Sequence, residues 1–277
     1  MKMKSAILAL AILFAFAAYA NGTYVNVVEP YNATINPNGS IFLGNVGPGE
    51  PFYITISSAT TNRSGAFLDY GWNQFVAYGL PPGWVVVNSA LNVPQLSVKI
   101  TASPQAQNGT YKFYLKAINT GNYSKIGNLT FSALVNVTPN VFNLNVYPSS
   151  ISVGPGQPAL IHIGINNTGV SDSPFTISVS GAPAWSYEET VIAPHSTSKT
   201  FAYSIYEDEP GLYKLRLAVN SSASSLVSKT VGIDMLVKAS IPNDYSAIGQ
   251  GAIAFPNIYA PAYSVMYLID KLARSLA

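Results

Sequence analysis

The chain has 277 residues, of which 48% are hydrophobic and only 9% charged, with a formal net charge of +2 and no cysteine. Disorder needs low hydrophobicity and high net charge, so a disordered chain is excluded, and a charge of +2 is no footprint for nucleic acid. The lack of cysteine removes disulfide frameworks, thiolate metal sites, iron–sulfur clusters and cysteine nucleophiles, and leaves His162 and His195 as the whole imidazole inventory.

At the start, Lys2 and Lys4 form a short positive segment, followed by an uncharged apolar run from Ser5 to Ala20 that ends Ala18-Tyr19-Ala20. That order of charge, apolar run and small-x-small site reads as a secretory signal peptide over residues 1–20. The run is also shorter than the roughly 20 residues needed to span a bilayer. Cleavage after Ala20 takes Lys2 and Lys4 with it, which leaves a nearly neutral product. No later segment is apolar for long enough to predict a transmembrane helix.

The remainder repeats. Val46-Gly47-Pro48-Gly49-Glu50-Pro51 recurs as Val153-Gly154-Pro155-Gly156-Gln157-Pro158, Pro82-Gly83-Trp84 as Pro183-Ala184-Trp185, and Gly109-Thr110-Tyr111-Lys112 as Gly211-Leu212-Tyr213-Lys214. Three anchors in one order predict a tandem repeat. The first copy spans 21–138 and the second 139–238, with an insertion near 60–75 in the first. After the first anchor, Phe52, Ile54 and Ile56 alternate with Tyr53, Thr55 and Ser57; in the second copy Ala159, Ile161, Ile163 and Ile165 hold the same phase. Period-2 runs broken by Pro, Gly and Asn every 8–12 residues or so predict an all-β sandwich. The copies meet at Thr138-Pro139-Asn140, and so short a linker predicts limited freedom between domains.

In immunoglobulin-type sandwiches a tyrosine near the start of strand F bonds back to the backbone at the E–F corner. Tyr111 and Tyr213 stand in that place, and Phe113 and Leu215 stand where antibody domains carry a cysteine. Taken with Gly-Pro-Gly before a strand, Asn166 to Gly169 and Pro-x-Trp, the chain resembles the NEW3 and CARDB types of immunoglobulin-like domain. These occur in tandem in archaeal and bacterial secreted or surface proteins. The resemblance covers 139–238 better than 24–138. It implies a fold class, all-β with two tandem immunoglobulin-like β-sandwiches, and an extracellular location. It implies no catalytic residue and no cofactor.

Ten Asn-x-Ser/Thr sequons open at Asn21, Asn32, Asn38, Asn62, Asn108, Asn122, Asn128, Asn136, Asn166 and Asn220. The number exceeds chance pairing for this composition. As glycosylation acceptors they suit surface loops of an exported protein; Asn/Thr-rich turns also generate sequons incidentally.

Candidates for chemistry are few. The alternation puts His162 on the outer face of its strand, and His195 lies in a Pro-His-Ser-Thr-Ser turn. Glu207-Asp208-Glu209 reads as a solvated turn or, less simply, as oxygen ligands for Ca²⁺. No Gly-x-Ser-x-Gly elbow supports a serine triad, so neither catalytic residues nor a metal site is predicted. The insertion, Phe67-Leu68-Asp69-Tyr70-Gly71-Trp72-Asn73-Gln74-Phe75, sets aromatics beside amides and a carboxylate. Tyr70, Trp72, Phe75 and Tyr78 are therefore candidates for stacking on a glycan, and equally for a core strand.

Beyond Lys238 the pattern changes. Pro261 suits the first turn of a helix over about 261–275, and Val265, Met266, Ile269, Leu272 and Leu276 line one side of it. About 15 residues make a marginal helix that needs a surface to bury against: its own sandwich, a partner, a second copy through self-association, or a membrane. The expectation overall is a secreted, non-enzymatic, cell-surface structural or adhesion protein whose partners are surface or envelope proteins. The competing expectation is a carbohydrate-binding protein that uses the aromatics of its first domain.

Overall fold

Strand formation follows the period-2 pattern almost residue for residue, because alternate positions enter a shared core while the others meet solvent. The computed structural model describes residues 23–61, 67–121, 127–183, 188–238, 240, 269 and 274, with the backbone alone at 61 and 67–70. Two compact units divide between Thr138 and Pro139.

Unit 1 contains β1 (Val25–Glu29), β2 (Ala33–Ile35), β3 (Ser40–Val46), β4 (Pro51–Ser57), β5 (Ala59–Thr61), β6 (Phe67–Gly71), β7 (Gln74–Tyr78), β8 (Val85–Val87), β9 (Gln95–Thr101), β10 (Gly109–Ile118) and β11 (Leu129–Val137). One sheet runs β2-β1-β4-β9-β8 and the other β3-β11-β10-β7, with β5-β6 as a separate hairpin. Phe52, Ile54, Leu96, Ile100, Phe113, Leu115 and Phe131 are fully buried between the sheets. The insertion expected near 60–75 is this hairpin. Its base is tight: Ala59 pairs with Gly71, and a Cβ on Gly71 would lie 2.1 Å from the Ser58 carbonyl oxygen. Only glycine allows that approach.

Unit 2 contains β12 (Phe142–Tyr147), β13 (Ser150–Val153), β14 (Ala159–Asn167), β15 (Ser173–Ser180), β16 (Glu188–Ala193), β17 (Thr197–Ile205), β18 (Gly211–Ser221) and β19 (Ser228–Val237). Its sheets are β12-β14-β17 and β13-β19-β18-β15-β16. Most pairings are antiparallel, but β3 runs parallel to β11 and β13 parallel to β19. In both units the chain therefore opens in one sheet and crosses to the other before the Gly-Pro-Gly anchor. Both units are immunoglobulin-like sandwiches. They differ at one edge. In unit 2 the strand after the third core strand, β16, stays beside it on β15, whereas in unit 1 β8 crosses to pair with β9.

The repeated anchors are turns closed by their own side chains. The Gly47 and Gly154 amides each donate, at 3.0 Å, to a side-chain oxygen three residues on, Glu50 Oε2 in one copy and Gln157 Oε1 in the other. Both side chains are buried, and a buried polar group is tolerated when its hydrogen bonds are made. The Gly-x-Tyr anchors are tyrosine corners, as the sequence predicts. Tyr111 Oη donates to the Gln107 carbonyl at 3.0 Å and Tyr213 Oη to the Glu209 carbonyl at 2.8 Å. Burial, with help from Glu207 and Glu209, raises the Tyr213 phenol above its ordinary pKa.

Of the C-terminal segment, Ile269 and Arg274 are described; both are helical and exposed. The predicted helix over 261–275, with Val265, Met266, Leu272 and Leu276, otherwise lies outside the described residues. So do Trp185 and residues 1–20, which the sequence reads as an export signal. No helix among the described residues is long and apolar enough to cross a membrane.

Candidate functional site

The four aromatic residues singled out in the insertion part company. Trp72 is 3% exposed and Phe75 0%. Phe75 stacks on Phe131 with centroids 6.1 Å apart, deep in unit 1. Neither can lay a ring face on a ligand, which corrects that reading for both. Burial dominates because a large aromatic side chain gains about 1.5–3 kcal/mol when it leaves water. For Trp72 this outweighs the cost of a buried indole Nε1 with no acceptor among the described residues. The Tyr70 side chain lies outside the described residues.

Tyr78 reaches the surface, and it is not alone there. On β10 the inward residues are Phe113, Leu115 and Ala117, so Lys112, Tyr114 and Lys116 point outward. Register places Tyr78 across from Tyr114, Val76 across from Lys116, and Leu134 between Lys112 and Phe42. Tyr78 and Tyr114 stack at 5.6 Å and 22°. Lys112 Nζ lies 5.5 Å from the Tyr114 centroid. Phe42 is 52% exposed, Tyr78 43% and Tyr114 40%. The outer face of the β3-β11-β10-β7 sheet thus carries three exposed rings and two ammonium groups. The four strands contain no Asp or Glu.

Unit 2 shows what is particular about this face. Lys214, the counterpart of Lys112, stands across from Asp234, whereas Lys112 stands across from Leu134. In unit 2 the cation is balanced by its cross-strand neighbour; in unit 1 that neighbour is apolar. A cation over an exposed ring is held by only about 0.5–1 kcal/mol, so Lys112 keeps its charge available for an incoming group, and Lys116 stands across from the apolar Val76.

Of the sequons, Asn32, Asn38, Asn108, Asn128 and Asn166 are exposed. Asn136 and Asn220 are half-buried within strands, and the Asn136 amide donates to Asn45 Oδ1 at 2.9 Å. Asn21, Asn62 and Asn122 lie outside the described residues.

Two polar features were not foreseen. The triplet Glu207-Asp208-Glu209 is not simply a solvated turn: Glu207 is 2% exposed. Its Oε1 accepts the Asp208 amide at 3.1 Å, and its carbonyl accepts the Gly156 amide at 2.8 Å, joining the turn to the Gly-Pro-Gly anchor. His162 is exposed, as the alternation requires. His195, by contrast, is held: its Nδ1 and its backbone amide both lie 2.8 Å from Asp172 Oδ1. The His195 amide hydrogen bond chiefly holds the Asp172 carboxyl below the usual carboxylate range, helped by the ring and by Lys199. A carboxyl with a lowered folded-state pKa contributes stability above its unfolded pKa of about 3.9 and loses it as pH falls through the folded value. Asp172→Asn should therefore flatten the acid limb of the melting temperature below about pH 4, as checked by thermal unfolding across the acid range. Among the described residues, no three or more of His, Asp and Glu gather to hold a metal ion.

No protein-family model matches the chain, and no curated protein matches it. Solved structures with some likeness include a chimeric titin Z1Z2 carrying an exogenous decorin peptide (13% identity over 78% of this chain and 98% of that one, TM-score 0.34). Others are domains 5–6 of the S-layer protein SbsC (13% identity, 77% and 96% covered, TM-score 0.26) and the D00-D0 domain of intimin (14% identity, 77% and 98% covered, TM-score 0.26). These likenesses carry no argument about what the chain does.

Proposed function

We propose that the protein is a secreted, non-enzymatic component of the cell surface, and that unit 1 contacts an envelope partner through the outer face of the β3-β11-β10-β7 sheet. The observation that carries this reading is the juxtaposition of Phe42, Tyr78 and Tyr114 with Lys112 and Lys116, and no carboxylate, on one exposed sheet face. Exposed rings among polar groups mark interaction surfaces, and aromatic anchors carry a disproportionate share of contact energy. Two unbalanced cations select an acidic partner surface and speed its capture. The carbohydrate alternative is weaker on this face, because the Tyr78–Tyr114 stack occupies one face of each ring and Lys112 lies over the Tyr114 ring. The Gly-Pro-Gly and tyrosine-corner motifs behind the NEW3 and CARDB resemblance support an extracellular spacer or adhesive role.

The test is retention on the source cells. Lys112 is exposed and Lys116 half-buried on the outer face, so reversing both charges should change stability by under about 1 kcal/mol. Tagged wild-type chain should stay with the envelope and be released by about 1 M salt, where the screening length is ~3 Å. The Lys112→Glu/Lys116→Glu variant should appear in the medium instead. Retention unchanged by the double reversal would overturn the proposal.

A further inference from the structure

The tyrosine corner of unit 1 borders an open groove of about 610 Å³ whose walls include Pro81, Trp84, Ser103, Gln105, Gln107 and Tyr111. Trp84 is only half-buried. Its ring meets Phe52 at 85° and both Tyr111 and Phe113 at 47°, so no neighbouring ring lies flat upon it. The Tyr111 hydroxyl is tied to the Gln107 carbonyl, which fixes the groove wall beside residue 107. The next residue is Asn108, exposed and the first of the sequon Asn108-Gly109-Thr110. Consecutive Cα atoms are about 3.8 Å apart, so the backbone of Asn108 lies one residue beyond that wall.

We infer that a glycan N-linked to Asn108 folds back into this groove. Its first ring lays an apolar C–H face on Trp84, and its hydroxyls bond the side-chain amides of Gln105 and Gln107. The linkage joins Asn108 Nδ2 to the anomeric carbon of the sugar. The amide gives up one proton, and the sugar leaves the phosphate of a lipid-linked oligosaccharide donor. Unit 2 keeps the corner and, in sequence, the tryptophan of the Pro-x-Trp anchor at Trp185, but it lacks the sequon and the two glutamine amides. Its counterpart of the sequon is Pro210-Gly211-Leu212, and Glu207, Asp208 and Glu209 stand where unit 1 has Gln105, Ala106 and Gln107. The pairing of an aromatic groove with an adjacent sequon thus belongs to one copy of the repeat and is not a by-product of the fold.

The full chain purified from its source cells tests this, beside a Thr110→Val variant that abolishes the sequon and keeps Asn108, and an Asn108→Gln variant as a second route to the same loss. Glycopeptide mass spectrometry should find Asn108 occupied in the wild type. The wild type should melt about 4 °C above both variants, and that gap should close when all three are made in a host without N-glycosylation. Sugar C–H resonances of the wild type should be shifted upfield by the Trp84 ring current. An empty Asn108, an occupied Asn108 without upfield sugar signals, or a melting gap that persists without glycosylation would overturn the inference. The inference rests on export, and the two can fail separately. A chain retained inside the cell would leave all ten sequons empty, whereas glycans elsewhere with Asn108 bare would refute the groove alone.

Discussion

Phe113→Ala is expected to cost unit 1 about 3–5 kcal/mol, a loss set by lost transfer energy plus the cavity left behind. Phe113 is fully buried, with ring centroids 6.3 Å from Phe52 and 6.4 Å from Trp84. It occupies the position where a disulfide would otherwise join the sheets, so apolar packing alone bridges them there. Domains are stable by only about 5–15 kcal/mol, and the substitution therefore removes roughly a fifth or more of the whole. With a urea slope of about 1–3 kcal/mol/M, the unfolding midpoint should fall by about 2 M. Trp72 and Trp84 lie in unit 1 and Trp185 in unit 2, so tryptophan fluorescence in a Trp185→Phe background reports the unit 1 transition. Phe113→Leu, which keeps most of the volume, should cost less than about 1.5 kcal/mol. A Phe113→Ala loss below about 1 kcal/mol would mean that the sheets are not held together at this point.

The second large effect belongs to Asn167, a polar residue at a core position of unit 2. It is 1% exposed; its Nδ2 donates to the carbonyls of Ser171 and Ala193, each at 2.8 Å, and its Oδ1 accepts the Gly169 amide at 2.9 Å. One side chain thereby ties the loop after β14 to the end of β16. Asn167→Ala strands all three groups, and an abandoned buried polar group costs about 1–3 kcal/mol, so a total near 3 kcal/mol or above is expected. Asn167→Asp is diagnostic. A carboxylate keeps the Gly169 bond but faces two carbonyl oxygens, and burial with that repulsion raises its folded-state pKa. A raised carboxyl pKa makes the variant most stable below about pH 4 and weaker as pH rises through the folded value. The Asn167→Asp deficit should therefore grow from pH 4 to pH 7 in denaturant titrations, and a deficit independent of pH would show that Asn167 is not bonded as described.

The two copies, their alternating strands and the tyrosine corners were legible in the sequence because each rests on a short-range pattern. Phe52, Ile54 and Ile56 and their partners Ala159, Ile161 and Ile163 set the phase. Asn167 is legible as well, since it continues the inward series Ala159, Ile161, Ile163, Ile165. What local pattern could not supply was pairing between distant strands. The opposition of Tyr78 and Tyr114, residues 36 apart in the chain, is a fact of register. So is the replacement of Asp234 by Leu134 as the lysine's cross-strand neighbour. The crossing of β8 to the other sheet is equally invisible, since Val85, Val86 and Val87 suit either edge. Trp72 misled because an aromatic beside amides looks alike in a core and in a sugar site; only burial separates the two. Glu207 misled because three adjacent acids look solvated, while the backbone amides that satisfy the first of them come from the turn itself.

The central claim, that unit 1 meets an envelope partner through one sheet face, is tested most directly by site-specific photo-cross-linking on intact source cells. A photoreactive residue in place of Tyr78 lies within the face, and the same group in place of Tyr147, 71% exposed on unit 2, lies outside it. Mass spectrometry should identify an envelope protein joined to position 78 and not to position 147. Equal yields at the two positions, adducts with cytoplasmic proteins alone, or no adduct at position 78 would contradict the claim.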